Sequence, residues 1–204
     1  MSRTLTCLYD DYDVALETAR DLEAGGVPTG DISLIANNAE NRYAPAAAAD
    51  TTAHAGTGAG VGSVLGGSVG LLAGLGFLAV PGIGPVVGLG WLVATAVGAV
   101  TGAAVGAATG GMIGSLTETG VTEADANVYA EGVRRGGTLV SVRIPDAMAR
   151  EAEAILYRHH PVDVRVRGDA YRSGGWTRFD ETAPPYGLSD IERERALYGA
   201  SLEP

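Results

Sequence analysis

Thr138-Leu139-Val140-Ser141-Val142-Arg143-Ile144 sets Leu139 against Val140, Val142 and Ile144, with Gly136-Gly137 before it and Pro145-Asp146 behind. Alternating apolar positions, rich in β-branched residues and bounded by turn-forming pairs, read as a strand. Upstream, Ala126, Tyr129, Ala130 and Val133 recur at helical spacing. Thr122 stands where a helix cap belongs, with Asp125 at the third position, a weak form of the capping box. Downstream, Pro145-Asp146 opens a second helix whose inner face carries Met148, Ala152, Ile155 and Leu156. Val162 to Arg167 then alternates Val162, Val164 and Val166 with Asp163, Arg165 and Arg167, which reads as a half-exposed strand.

The N-terminal segment has the same logic. Thr4 to Tyr9 alternates as a strand, Asp10 or Asp11 caps a helix carrying Ala15, Ala19 and Leu22, and Gly25-Gly26 ends it. Asp31 to Ala36 reads as another strand. The order is β-α-β, a long insert, then α-β-α-β. Two crossovers of one hand favour an α+β class, a ferredoxin-like four-stranded sheet with helices on one face. The bare face is then a place for subunits to associate or for a small ligand to bind.

The insert divides the chain. No Asp, Glu, Arg or Lys occurs from Thr51 to Thr117, a run that holds 19 of the 31 glycines. We read residues 1–50 and 118–168 as two halves of the α+β domain, 51–117 as the insert and 169–204 as a tail. Two apolar runs, Gly56 to Val80 and Val86 to Leu116, flank Pro81-Gly82-Ile83-Gly84-Pro85, a turn that no helix can pass through. Gly58, Gly62, Gly66, Gly70 and Gly74 recur every fourth residue, as do Gly98, Gly102, Gly106, Gly110 and Gly114. On helices these sets form shallow grooves of the glycine-zipper kind, along which backbones pack closely. The first run as a helix spans about 37 Å, more than the roughly 30 Å of a hydrocarbon core. The pattern predicts a Gly-rich helical hairpin, transmembrane in the first reading. Phe77 and Trp91 near the turn suit a membrane interface. In the alternative, the hairpin is buried among copies in a soluble oligomer. A flexible linker fits poorly, because linkers are polar and this run is rich in Val, Leu, Ile and Ala.

Composition excludes several functions. The chain has 204 residues and a net charge of −10. All 14 basic residues are Arg, so Schiff-base, P-loop and Ser-Lys chemistry lack their amine. An acidic chain is a poor partner for nucleic acid. One cysteine, Cys7, allows neither an internal disulfide nor a multi-cysteine zinc site, and it reads as a small buried residue. The opening Met1-Ser2-Arg3-Thr4 has no signal-peptide pattern, so the globular parts are expected in the cytoplasm.

Motifs for chemistry fail on context. Gly66-Gly67-Ser68-Val69-Gly70 matches a nucleophile elbow, and Gly74-Leu75-Gly76-Phe77-Leu78-Ala79 matches a dinucleotide fingerprint. Neither has the preceding strand or the trailing acid that its chemistry needs. His159-His160 are adjacent and so diverge on a helix, unlike an i, i+4 metal pair. Asp10, Asp11 and Asp13 do not have calcium-loop spacing. No catalytic, cofactor-binding or metal-binding residue is assigned. In the tail, Ser189 with Glu192 suggests a capped helix ending near Gly199. Its aromatics, Trp176 and Phe179 foremost, are expected to anchor it on its own domain, a neighbouring subunit or a protein partner.

Ala79-Val80-Pro81-Gly82-Ile83-Gly84-Pro85-Val86-Val87, Gly111-Met112-Ile113-Gly114-Ser115-Leu116, and Tyr129-Ala130-Glu131-Gly132-Val133-Arg134-Arg135-Gly136-Gly137-Thr138-Leu139-Val140-Ser141-Val142 together resemble the bacterial general stress protein 17M-like family. The resemblance covers about Arg3 to Arg167. It implies an α+β domain interrupted by a Gly-rich hydrophobic hairpin and an association with stress responses, and it carries over no reaction. The expectation is a non-enzymatic, stress-associated homo-oligomer. Its hairpin sits in inner-membrane lipid or, alternatively, inside a cytoplasmic soluble scaffold; a stress or small-ligand sensor on the open sheet face is a third reading.

Overall fold

The structure is a computed structural model that describes residues 2–39, 76–80, 83–92 and 111–199. The strands are β1 (Ser2–Tyr9), β2 (Ile32–Asn37), β3 (Gly76–Val80), β4 (Gly84–Leu89) and β5 (Thr138–Pro145). The helices are α1 (Tyr12–Ala24), α2 (Met112–Glu118), α3 (Glu123–Arg134), α4 (Ala149–Arg158), α5 (Val164–Ser173) and α6 (Leu188–Gly199). The class is α+β: one antiparallel sheet of order β1-β5-β2-β4-β3, packed with helices.

The stretch 138–144 forms β5, an interior strand of the sheet. It pairs with β1 from Leu5↔Val142 to Leu8↔Leu139, and with β2 from Ile32↔Val142 to Ile35↔Leu139. β1 and β2 therefore run parallel with β5 between them, a split β-α-β unit. Alternation sends side chains to two cores. Cys7, Tyr9, Leu34, Val140 and Val142 pack with Ala15, Ala19 and Leu22 of α1 and with Ala152, Ile155 and Leu156 of α4. Leu8, Ile35 and Leu139 point the other way, to Leu116 of α2 and to Ala126, Ala130 and Val133 of α3. Gly132 lets α3 lie close on β1, since a Cβ there would sit 2.5 Å from Leu8 Cδ2. The caps follow local chemistry: Asp11 accepts the Asp13 N–H, and Thr122 accepts the Asp125 N–H.

Four expectations are corrected. First, helices cover both faces rather than one, so the bare face proposed for subunits or a ligand is occupied by α2 and α3. Second, Val162–Arg167 is not a fourth strand beside β1. The Val162 N–H makes one bond to Leu8 O at 2.8 Å, and the chain then turns into α5. Asp163 Oδ1 accepts the N–H groups of Arg165 and Val166, and this cap starts a helix where the period-two pattern alone suggests a strand.

Third, the described residues on either side of the predicted turn form strands, not helices: β3 and β4 pair from Gly76↔Gly88 to Val80↔Gly84. β4 then joins β2, from Leu34↔Leu89 to Asn37↔Val86. Glycine weakens a helix by about 1 kcal/mol per residue against alanine, whereas the free β2 edge offers a ready ladder. Pro85 stands one place before Val86, β4's first β2 partner, a strand-start position where proline is tolerated. Fourth, among the described residues no helix is long and apolar enough to cross a membrane, which overturns the transmembrane helical hairpin. Of the predicted packing glycines, Gly58, Gly62, Gly66, Gly70, Gly74, Gly98, Gly102, Gly106 and Gly110 lie outside the described residues, as do Pro81 and Gly82 of the turn. Gly114 lies within α2, and Gly84 and Pro85 open β4.

Candidate functional site

The C-terminal end of α3 gathers the molecule's densest set of described charged and aromatic contacts. Glu131 is fully buried there. A buried carboxylate must be paired, and it is: Arg135 Nε donates to Oε1 at 2.6 Å and Arg134 Nη1 at 3.2 Å. Both arginines fall one helical turn from Glu131, so α3 itself brings the three together. Arg135 Nη1 continues to Glu194 Oε1 of α6 at 2.9 Å. Burial alone pulls the Arg135 guanidinium down, but the hydrogen bond and charge of Glu131, with Glu194, carry it above the usual arginine value.

Aromatic rings of the tail and of α5 close over these cations. The Arg135 guanidinium lies 4.2 Å from the Tyr171 ring, and that of Arg134 lies 4.7 Å from Tyr186. On the neighbouring side Arg167 binds Asp10 with two bonds of 2.8 Å and stacks 3.9 Å from Tyr198. Burial raises the Tyr171 hydroxyl above its ordinary value, against the nearby Arg167 charge. Such stacks are worth about 0.5–1 kcal/mol each when exposed, and more once desolvated.

The tail reaches this cluster through two apolar pegs. Phe179 is 6% exposed and packs in the α2–α3 core, and its N–H donates to Asn127 Oδ1. Ile191 is fully buried against Gly136, whose φ of +98° is a left-handed cap and whose missing Cβ leaves the space Ile191 occupies. Trp176 is half-buried, edge-on to Tyr171 at 5.6 Å. Between α2, α3 and residues 175–182 lies an open cleft of about 1090 Å3, lined by Ile113, Gly114, Asn127, Arg134, Trp176 and Phe179. Its lining mixes apolar and charged side chains, and within it the Thr182 hydroxyl donates to Asp180 Oδ1 at 2.6 Å.

Of the residues that sequence reasoning weighed for chemistry, Cys7 and His159 stand apart from this cluster, and Asp10 belongs to it through Arg167. Cys7 is buried in β1, and burial pushes its thiol up to about 12, which makes it inert. His159 Nε2 lies 2.9 Å from Asp21 Oδ2, tying α4 to α1. Among the described residues no group of three His, Cys, Asp or Glu is placed to hold a metal ion. Of the two cap candidates Asp10 and Asp11, Asp11 is the cap and Asp10 pairs with Arg167. Glu131, Arg134, Arg135 and Arg167 were given no site role in the sequence reading, whereas Tyr171 and Tyr198 were among the tail aromatics expected to dock. The available signal was Glu131 placed three and four residues before an Arg pair, in a chain whose tail is rich in rings. Comparison with protein-family models, with curated proteins and with solved structures finds no match to this chain.

Proposed function

We propose that this chain is a non-enzymatic, self-assembling scaffold protein whose charge-free insert is buried between copies, and that it belongs among stress-associated proteins through the resemblance of its PGIGP and RRGGTLVSV segments. The observation that carries the reading is the placement of β3. The middle of the insert folds onto the sheet, and among the described residues β3 is the outermost strand, Gly76-Phe77-Leu78-Ala79-Val80, apolar and without a charge. An apolar edge strand without charge or an inserted proline is a template for pairing with another chain unless something blunts it. The opposite edge is blunted: on β1, Thr6 O accepts the Tyr129 hydroxyl and Leu8 O the Val162 N–H. Association is thereby directed to one end of the sheet, the end formed by the insert.

Light scattering on a sizing column, without detergent, tests this. The full chain is expected to run as a defined oligomer. Ala79→Pro, which puts a residue without an N–H into the edge strand, is expected to lower the mass at least twofold while the helical circular dichroism is kept. A monomer at micromolar concentration with the insert intact would sink the reading.

A further inference from the structure

The helix α6 is held by contacts of an unusual kind for an element of its own domain. One apolar peg, Ile191, fills a socket at Gly136. Around it lie the Glu194–Arg135 ion pair at 2.9 Å, the Arg195 guanidinium against Gly136 O, and Tyr198 over Arg167. A buried central anchor ringed by charged and aromatic groups is the anatomy of a protein–protein interface rather than of a core. The described contacts are made by side chains, with no strand ladder joining α6 to the body. In the approach to α6, Thr182-Ala183-Pro184-Pro185-Tyr186-Gly187, the two prolines are exposed and hold that part extended, while Tyr186 after them lies over Arg134. An extended lead suits a helix that reaches outward.

We propose that α6 is an exchangeable docking helix, and that in the assembled protein the α6 of a second copy of this chain fills the Gly136–Arg135 socket. The socket already fits this helix by shape and charge, so an exchanged copy makes the same contacts. In an assembly the copies are held close, the effective concentration of the neighbour's helix is high, and exchange costs little beyond the linker's ordering. The proposal rests on the self-assembly reading and specifies how copies are fastened.

Two chains test it, each carrying Cys7→Ala, one with Gly136→Cys and the other with Ile191→Cys. A Cβ on Gly136 would lie 3.2 Å from that of Ile191, close enough for a disulfide after a small shift. Co-refolded and oxidised, the mixture is expected to give a mixed disulfide of twice the chain mass. The double variant in one chain is expected to link between copies as well. Internal closure of the double variant, with no mixed disulfide in the mixture, overturns the exchange. Light scattering on the same samples then shows separately whether self-assembly stands.

Because Gly136 has a positive φ, a second pair guards against misfolding: Arg135→Glu in one chain and Glu194→Arg in another. Each alone sets like charges against each other within a chain and, on exchange, within its own homo-oligomer. A mixed oligomer restores opposite charges at both sockets, so mixing is expected to raise the thermal midpoint and give a one-to-one complex. Unchanged midpoints on mixing overturn the proposal.

Discussion

Cys7, Tyr9, Tyr129 and Tyr171 show how single side chains set the protein's response to alkali. Burial holds the Cys7 thiol near 12 against an ordinary value of 9, and it holds the three phenols above their ordinary value of 10. Above pH 9 the unfolded chain therefore sheds protons that the folded chain keeps, and stability falls as pH rises. The urea midpoint is expected to be lower at pH 10.5 than at pH 8, and Cys7→Ala should delay the onset of that decline. A thiol reagent at pH 8 should leave Cys7 unmodified until the protein unfolds. Gly136→Ala acts at the same scale: a side chain at φ +98° costs of the order of 2 kcal/mol, and it also pushes Ile191 out of its socket. Denaturant titration should show that loss, together with increased cleavage of the tail by protease.

Among elements, α5 and β3–β4 are where local pattern and final structure part. Val162–Arg167 has the alternation of a strand, but Asp163 caps a helix and Arg167 swings to Asp10. Asp163→Ala should cost about 1 kcal/mol, the usual worth of a cap, read as a lower unfolding midpoint with less helical signal. The helix α6 begins at Leu188, one residue before Ser189, because Asp190 reaches back to the Gly187 N–H; the predicted Ser189–Glu192 box is not used. On α3, Glu131→Leu removes the shared partner of two half-desolvated arginines. Breaking a buried pair from one side costs about 3 kcal/mol, and fluorescence of Trp176, next to the clasp, should report loosening of the tail before global unfolding.

At the scale of the whole molecule, the sheet has a blunted end at β1 and, among the described residues, the apolar strand β3 outermost at the other end, with helices on both faces. The tail spans α2, α3 and α5, so domain and tail unfold together. A chain ending at residue 173 uncovers the seat of Phe179 and the socket at Gly136, and its thermal midpoint should drop by several degrees. If the midpoint were unchanged, the tail would contribute no stability to the domain.

Local periodicity and punctuation determined most elements of the flanking segments. Alternation in 4–9, 31–36 and 138–144, the Asp11 and Thr122 caps, and the glycine pairs at 25–26 and 136–137 are short-range signals, and short-range chemistry fixes such elements. The sequence also showed that 51–117 is apolar and set apart. Whether its centre is helix or strand depended on β2 having an edge to pair with, a partner about 50 residues away that no local window contains. The Arg–Tyr clasp was hidden for the same reason: Asp10 and Arg167, or Arg135 and Glu194, become neighbours once the sheet has brought α3 and α5 side by side. Long-range pairing decided those features, because a residue's preference for helix or strand is worth about 1 kcal/mol, less than the ladder or buried ion pair that overrides it.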